Sequence, residues 1–65
     1  MTTLEKYENK LEALEQLYKA TKDRMITKYM NGDTYEGDLL NENCEQLIER
    51  MTLVSLVIDN LRENK

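Results

Sequence analysis

Three tyrosines, Tyr7, Tyr18 and Tyr29, recur at intervals of eleven residues. Eleven residues make about three turns of α-helix, so on one helix the three rings would lie along nearly one line. Aromatic faces attract cations and stack on nucleobases, and Lys10 and Lys22 stand one turn from Tyr7 and Tyr18. Tyr7, Tyr18, Lys22 and Tyr29 are therefore the candidate contacts for a nucleotide-like small molecule. Two of the three rings also fall on an apolar stripe, where tyrosine buries its ring and sends its hydroxyl to the rim. That structural use is favoured.

A second pattern is acidic. Asp38, Glu42, Glu45 and Glu49 step by four, three and four residues, which on a helix makes a ridge facing outward. Such a ridge suits a basic partner, including mimicry of a nucleic-acid backbone. Like charges one turn apart cost a helix tenths of a kcal/mol, but a charged outer face is what any water-exposed helix presents. The ridge is a secondary candidate.

Nucleophilic and metal chemistry lack their supporting groups. Cys44 is the single cysteine, Ser55 the single serine, and the chain contains no histidine. Neither nucleophile has a base to activate it. A soft metal site cannot be assembled from one thiol, and a di-metal bundle needs Glu-x-x-His pairs. The acidic segment Asn31-Gly32-Asp33-Thr34-Tyr35-Glu36-Gly37-Asp38 invites comparison with a calcium loop. Counted from Asp33, Gly37 falls fifth and Cys44 twelfth; counted from Asn31, Tyr35 falls fifth. Neither register supplies the oxygen ligands that an EF-hand needs. No catalytic residue, cofactor or metal is expected.

The elements that would carry these residues are legible in the spacing of apolar side chains. Thr2 and Glu5 form a capping box. From there Leu4, Tyr7, Leu11, Leu14, Tyr18, Thr21, Met25 and Lys28 alternate in steps of three and four, a heptad seam whose last layers are polar or mixed. Asn31-Gly32 suits a left-handed helix stop. Asp33 and Glu36 offer a second capping box, and Asp38 a later start, so the second helix is expected to begin between Thr34 and Leu39. Its seam is Leu40, Cys44, Leu47, Met51, Val54, Ile58 and Leu61. The expected layout is helix 1 over about 3–30, a turn over about 31–37 and helix 2 over about 38–63, as one domain.

Partners across an antiparallel hairpin have residue numbers that sum to a constant. Tyr7/Leu61, Leu11/Ile58, Leu14/Val54, Tyr18/Met51, Thr21/Leu47, Met25/Cys44 and Lys28/Leu40 all sum to 68 or 69. That constant centres the turn between residues 34 and 35, within the segment its turn chemistry already marks. The fold class is all-α, an antiparallel two-helix hairpin with heptad patterning. The same register sets Arg24 level with Glu45 and Glu8 level with Arg62, as candidate cross-helix ion pairs.

A hairpin of 65 residues has a small core. With disulfides excluded within one chain and no metal site, association with another chain is the remaining stabilising device. The heptad frame leaves Leu17, Leu53, Leu56 and Val57 outside the seam, with Leu53 and Leu56 at the level of Leu17 and Ala13. Such a patch is seldom left exposed on a monomer. A homo-oligomer is expected, most simply a dimer forming a four-helix bundle, or a larger helical assembly. The sharper reading is a face that docks on a different protein.

Net charge is −4, with residues 1–30 at +1 (six basic, five acidic) and 31–65 at −5 (three basic, eight acidic). An acidic chain is a poor match to nucleic-acid phosphates. No apolar run approaches the roughly 18 residues of a membrane span, and the N-terminal residues do not read as a signal peptide. With an unpaired cysteine, these features point to the cytoplasm.

The stretch Cys44-Glu45-Gln46-Leu47-Ile48 lies on the second helix of this layout. In size and architecture the chain resembles the short helical-hairpin regulators of bacteria and phages, including the aspartyl-phosphate phosphatases of the sporulation pathway. Those phosphatases carry Ser-Gln-Glu-Leu-Asp on their second helix. The stretch here has neither the serine nor the final aspartate, and no residue role is transferred. The expected function is a non-enzymatic interaction module, a regulator, inhibitor or adaptor that binds a partner protein through its helix faces. The reading from a different class is an oligomer that sequesters a nucleotide-like ligand at subunit boundaries.

Overall fold

The computed structural model describes residues 1–63. Two α-helices, α1 (Thr3–Met30) and α2 (Thr34–Glu63), fold back on each other as an antiparallel hairpin. The particle is a rod measuring 51 × 17 × 11 Å.

Each helix begins and ends where its local chemistry satisfies the backbone groups left without intrahelical partners. Thr2 caps α1: its hydroxyl accepts the Glu5 amide at 3.1 Å and donates to Glu5 Oε1 at 3.1 Å. At the other end Gly32 takes φ +82, a region that L side chains enter only with strain. This reversal lets the Gly32 amide donate to the Tyr29 carbonyl and the Asp33 amide to the Lys28 carbonyl. The two bonds together form a Schellman stop. Asp33 then turns directly into the cap of α2, its Oδ1 accepting the Glu36 amide at 3.1 Å.

Because Asp33 both closes α1 and opens α2, the connection is only Asn31-Gly32-Asp33. The turn is shorter than the layout of about 31–37, and α2 starts at Thr34, the earliest residue of the expected range Thr34 to Leu39. Gly37 is the physical reason. It does not interrupt the first turn of α2; it is buried there, with its amide donating to the Asp33 carbonyl. A Cβ at this position would lie 2.6 Å from Tyr29 Cε1 and 2.7 Å from Cδ1. The missing side chain therefore makes room for the Tyr29 ring, and the hairpin can close tightly.

The buried layer follows the seam of α2. Leu40, Cys44, Leu47, Val54 and Ile58 are buried, while Met51 and Leu61 are half-buried. Their counterparts on α1 are less enclosed. Tyr7, Leu11, Leu14, Tyr18 and Met25 are half-buried, and Thr21 alone is buried. Thr21 meets the requirement that a buried hydroxyl be bonded by donating to the Leu17 carbonyl at 2.8 Å. Two helices cannot surround a seam side chain on all sides, and no described side chain falls below 2% exposure. The core is one layer thick and open along both edges.

Of the two candidate ion pairs, one forms. Arg62 Nη2 donates to Glu8 Oε2 at 2.8 Å, both side chains being largely exposed. Arg24 and Glu45 make no such contact among the described residues. They share a level along the rod but stand on opposite edges of it, a distinction that the sum rule alone does not capture.

Candidate functional site

The heptad frame divides the hairpin into two long edges flanking the seam. On one edge, shallow grooves open between the helices. The first is walled by Leu17, Thr21, Leu47 and Arg50, and the second by Lys10, Leu14, Arg50, Leu53 and Val54. On the opposite edge a groove is walled by Glu8, Glu12, Glu15, Ser55, Asp59 and Arg62.

Leu17, Leu53, Leu56 and Val57 remain 53%, 63%, 56% and 36% exposed. Leu53, Leu56 and Val57 are neighbours on α2 by their three- and four-residue spacing. Leu17 comes to the same edge from α1, but it does not share a groove with Leu53. Arg50 lines both grooves and stands between the two leucines. The apolar surface is thus divided into two stations seven residues apart along α2, one at Leu47 and one at Val54.

The tyrosine positions do not form one site. Tyr7 and Tyr18 are half-buried along the seam, whereas Tyr29 is at the turn. Lys22 brings its Nζ to 5.9 Å from the centre of the Tyr18 ring, a cation–π distance. The open groove beside this pair also contains Lys19, Glu12, Glu15 and Asp23. Three carboxylates beside two amines give a phosphate no net attraction.

Tyr29 has a different role. Its hydroxyl donates to Asp38 Oδ1 at 2.6 Å while its ring covers Gly37. The bond to the carboxylate holds the phenol's proton and raises its pKa above the ordinary 10.0, with desolvation and the Asp38 charge adding in the same direction. One member of the acidic ridge is thereby engaged across the turn. Glu42, Glu45 and Glu49 are exposed and make no ion pair among the described residues.

Cys44 is buried as a free thiol. Among the described residues no group of three or more Cys, Asp or Glu side chains is arranged to hold a metal, and no helix is long and apolar enough to cross a membrane.

Sequence reasoning missed two features. One is the clasp formed by Tyr29, Gly37 and Asp38. Its signal was available, because Gly37 occupies a seam position one heptad before Cys44. The other is the sorting of charge between the two edges, which a count by halves of the chain conceals. No family model, curated protein or solved structure matches the chain.

Proposed function

We propose that this chain is a small, non-enzymatic interaction module that acts by occupying a surface of a partner protein. Its contact face is the edge bearing Leu17, Leu53 and Val57, with Leu56 adjoining it on the outer face of α2. One observation carries this reading: Leu17, Leu53 and Val57 are exposed along a single edge of a rod whose core is one layer thick, with Leu56 exposed beside them on the outer face of α2. Covering a leucine contributes roughly 1.5–3 kcal/mol, a large share of the stability available to a chain of this size. In the absence of a partner, a second copy covers the edge and makes a four-helix bundle. The working compartment is the cytoplasm, where the Cys44 thiol stays reduced.

The test is Leu53→Glu, alone and with Leu56→Glu. Both positions point away from the seam, so helicity by circular dichroism should be retained. The assembly mass, read by light scattering behind size exclusion, should fall. An assembly of unchanged mass would count against this edge as the contact face.

A further inference from the structure

We infer that the partner presents an acidic amphipathic helix to this edge, with apolar anchors seven residues apart flanked by carboxylates. The inference rests on the reading of the edge as a contact surface and adds the chemistry of what it contacts.

The support is the sorting of charge. Within residues 3–29 and 38–62, the edge containing the two leucine grooves carries Lys6, Lys10, Arg24 and Arg50 and no carboxylate. The opposite edge carries seven carboxylates, including Glu8, Glu12, Glu15 and Asp59, against Lys19, Lys22 and Arg62. A chain of net charge −4 therefore has one long edge at +4. None of the four cations has an acidic residue three or four positions away on its own helix. None makes an ion pair among the described residues, where the only pair is Arg62–Glu8. They are left for a carboxylate from outside.

The grooves define the shape of the occupant. Their floors at Leu47 and Val54 are seven residues apart on one helix, or about 10 Å. A helix laid along the edge would seat side chains at i and i+7 in the two grooves. Arg50 stands between the stations and Lys10 borders the second, so acidic residues beside the anchors would meet both. Arg50 is exposed and makes no ion pair among the described residues, so its charge is available to an incoming carboxylate. A second copy using the same face brings four more cations and no anion. Self-pairing therefore leaves the charge unopposed and yields to an acidic partner.

The experiment uses the full chain and two helical peptides of about 20 residues, a length at which a helix in water is marginal but can form. Both carry leucines at heptad spacing; one flanks them with glutamates, the other with lysines. Binding is measured by fluorescence anisotropy across a salt series, with a DNA duplex and phosphatidylglycerol vesicles as competitors. The glutamate peptide should bind roughly tenfold more tightly at low salt, as expected for two exposed ion pairs. The difference should close toward 1 M salt, where the screening length falls to about 3 Å. Lys10→Glu with Arg50→Glu, both on the surface, should reverse the preference with helicity retained.

Equal binding of the two peptides would overturn the inference and leave the docking edge standing. Failure of both to bind a chain that is a salt-insensitive dimer would also overturn it, making the edge a homodimer interface. Tighter binding of the duplex or the vesicles than of the glutamate peptide would overturn it by assigning the anion to another source. Failure of both peptides with a chain that stays monomeric would remove the contact reading itself.

Discussion

Shortening Leu47 to alanine tests the hairpin register with a magnitude that the structure bounds. Leu47 is 7% exposed and lies opposite Thr21, whose hydroxyl is turned back to the Leu17 carbonyl. Thr21 cannot swing into the vacated space without giving up that 2.8 Å bond. Leucine-to-alanine changes in cores cost about 2–5 kcal/mol, depending on how far the site collapses. Here a groove opens directly beside Leu47, so water and neighbouring side chains can relieve part of the cavity. The cost should fall in the lower part of that range, about 2–3 kcal/mol. For a chain of this length that corresponds to a loss of roughly 10–20 °C in Tm. Urea unfolding at low protein concentration reads the difference as a shifted midpoint at constant slope. Leu53→Ala is the control: at 63% exposure it should cost under about 0.5 kcal/mol in the monomer. A Leu47→Ala chain within about 0.5 kcal/mol of the parent, or one less affected than Leu53→Ala, would refute the seam assignment.

Gly32→Ala forces a side chain into φ +82 with no contact to compensate; urea unfolding should show a loss of about 1–2 kcal/mol. Gly37→Ala places a methyl 2.6 Å from the Tyr29 ring. The ring must leave Asp38, so the Tyr29 phenol should return toward its ordinary titration range by ultraviolet difference spectroscopy; an unmoved titration would contradict the clasp. The same clasp predicts a pH dependence. The folded-state pKa of Tyr29 is raised, chiefly by its bond to Asp38. Folding therefore favours the protonated phenol, and the contribution is complete below pH 10.0 and lost as pH climbs through the raised value. Tyr29→Phe should remove that part of the alkaline loss, seen as the difference between the two unfolding profiles.

The architecture was legible because two independent signals met at one place. The steps of three and four in both seams fix which faces touch, and the residue sums locate the turn where Asn31-Gly32-Asp33 has the chemistry to make it. Every predicted seam residue from Leu4 to Leu61 is buried or half-buried. What periodicity could not show was how closely two backbones approach at the hinge. Gly37 reads as a helix breaker by propensity, yet α2 tolerates it because the space left by its side chain is filled by Tyr29. The ion pairs failed in an instructive way. Sums place residues at a level but not on an edge, so Glu8–Arg62 formed while Arg24 and Glu45 were held apart. The exposure of Leu17, Leu53, Leu56 and Val57 follows from their heptad positions, but the division of that surface into two grooves that share Arg50 does not. A long flexible side chain chooses its path by the grooves available, which exist only once both helices are in place.

The most direct test of the contact edge is absolute mass in solution, by light scattering behind size exclusion, across a dilution series at low and high salt. The parent chain and the Leu53→Glu/Leu56→Glu variant should be measured together. The account predicts a parent mass near twice 7.7 kDa at high concentration, falling on dilution and strengthened by salt as the cations are screened. The variant should remain a helical monomer throughout. A dimer that the two substitutions leave intact would contradict the contact edge, and a parent chain of 7.7 kDa at every concentration and salt would contradict its covering by a second copy.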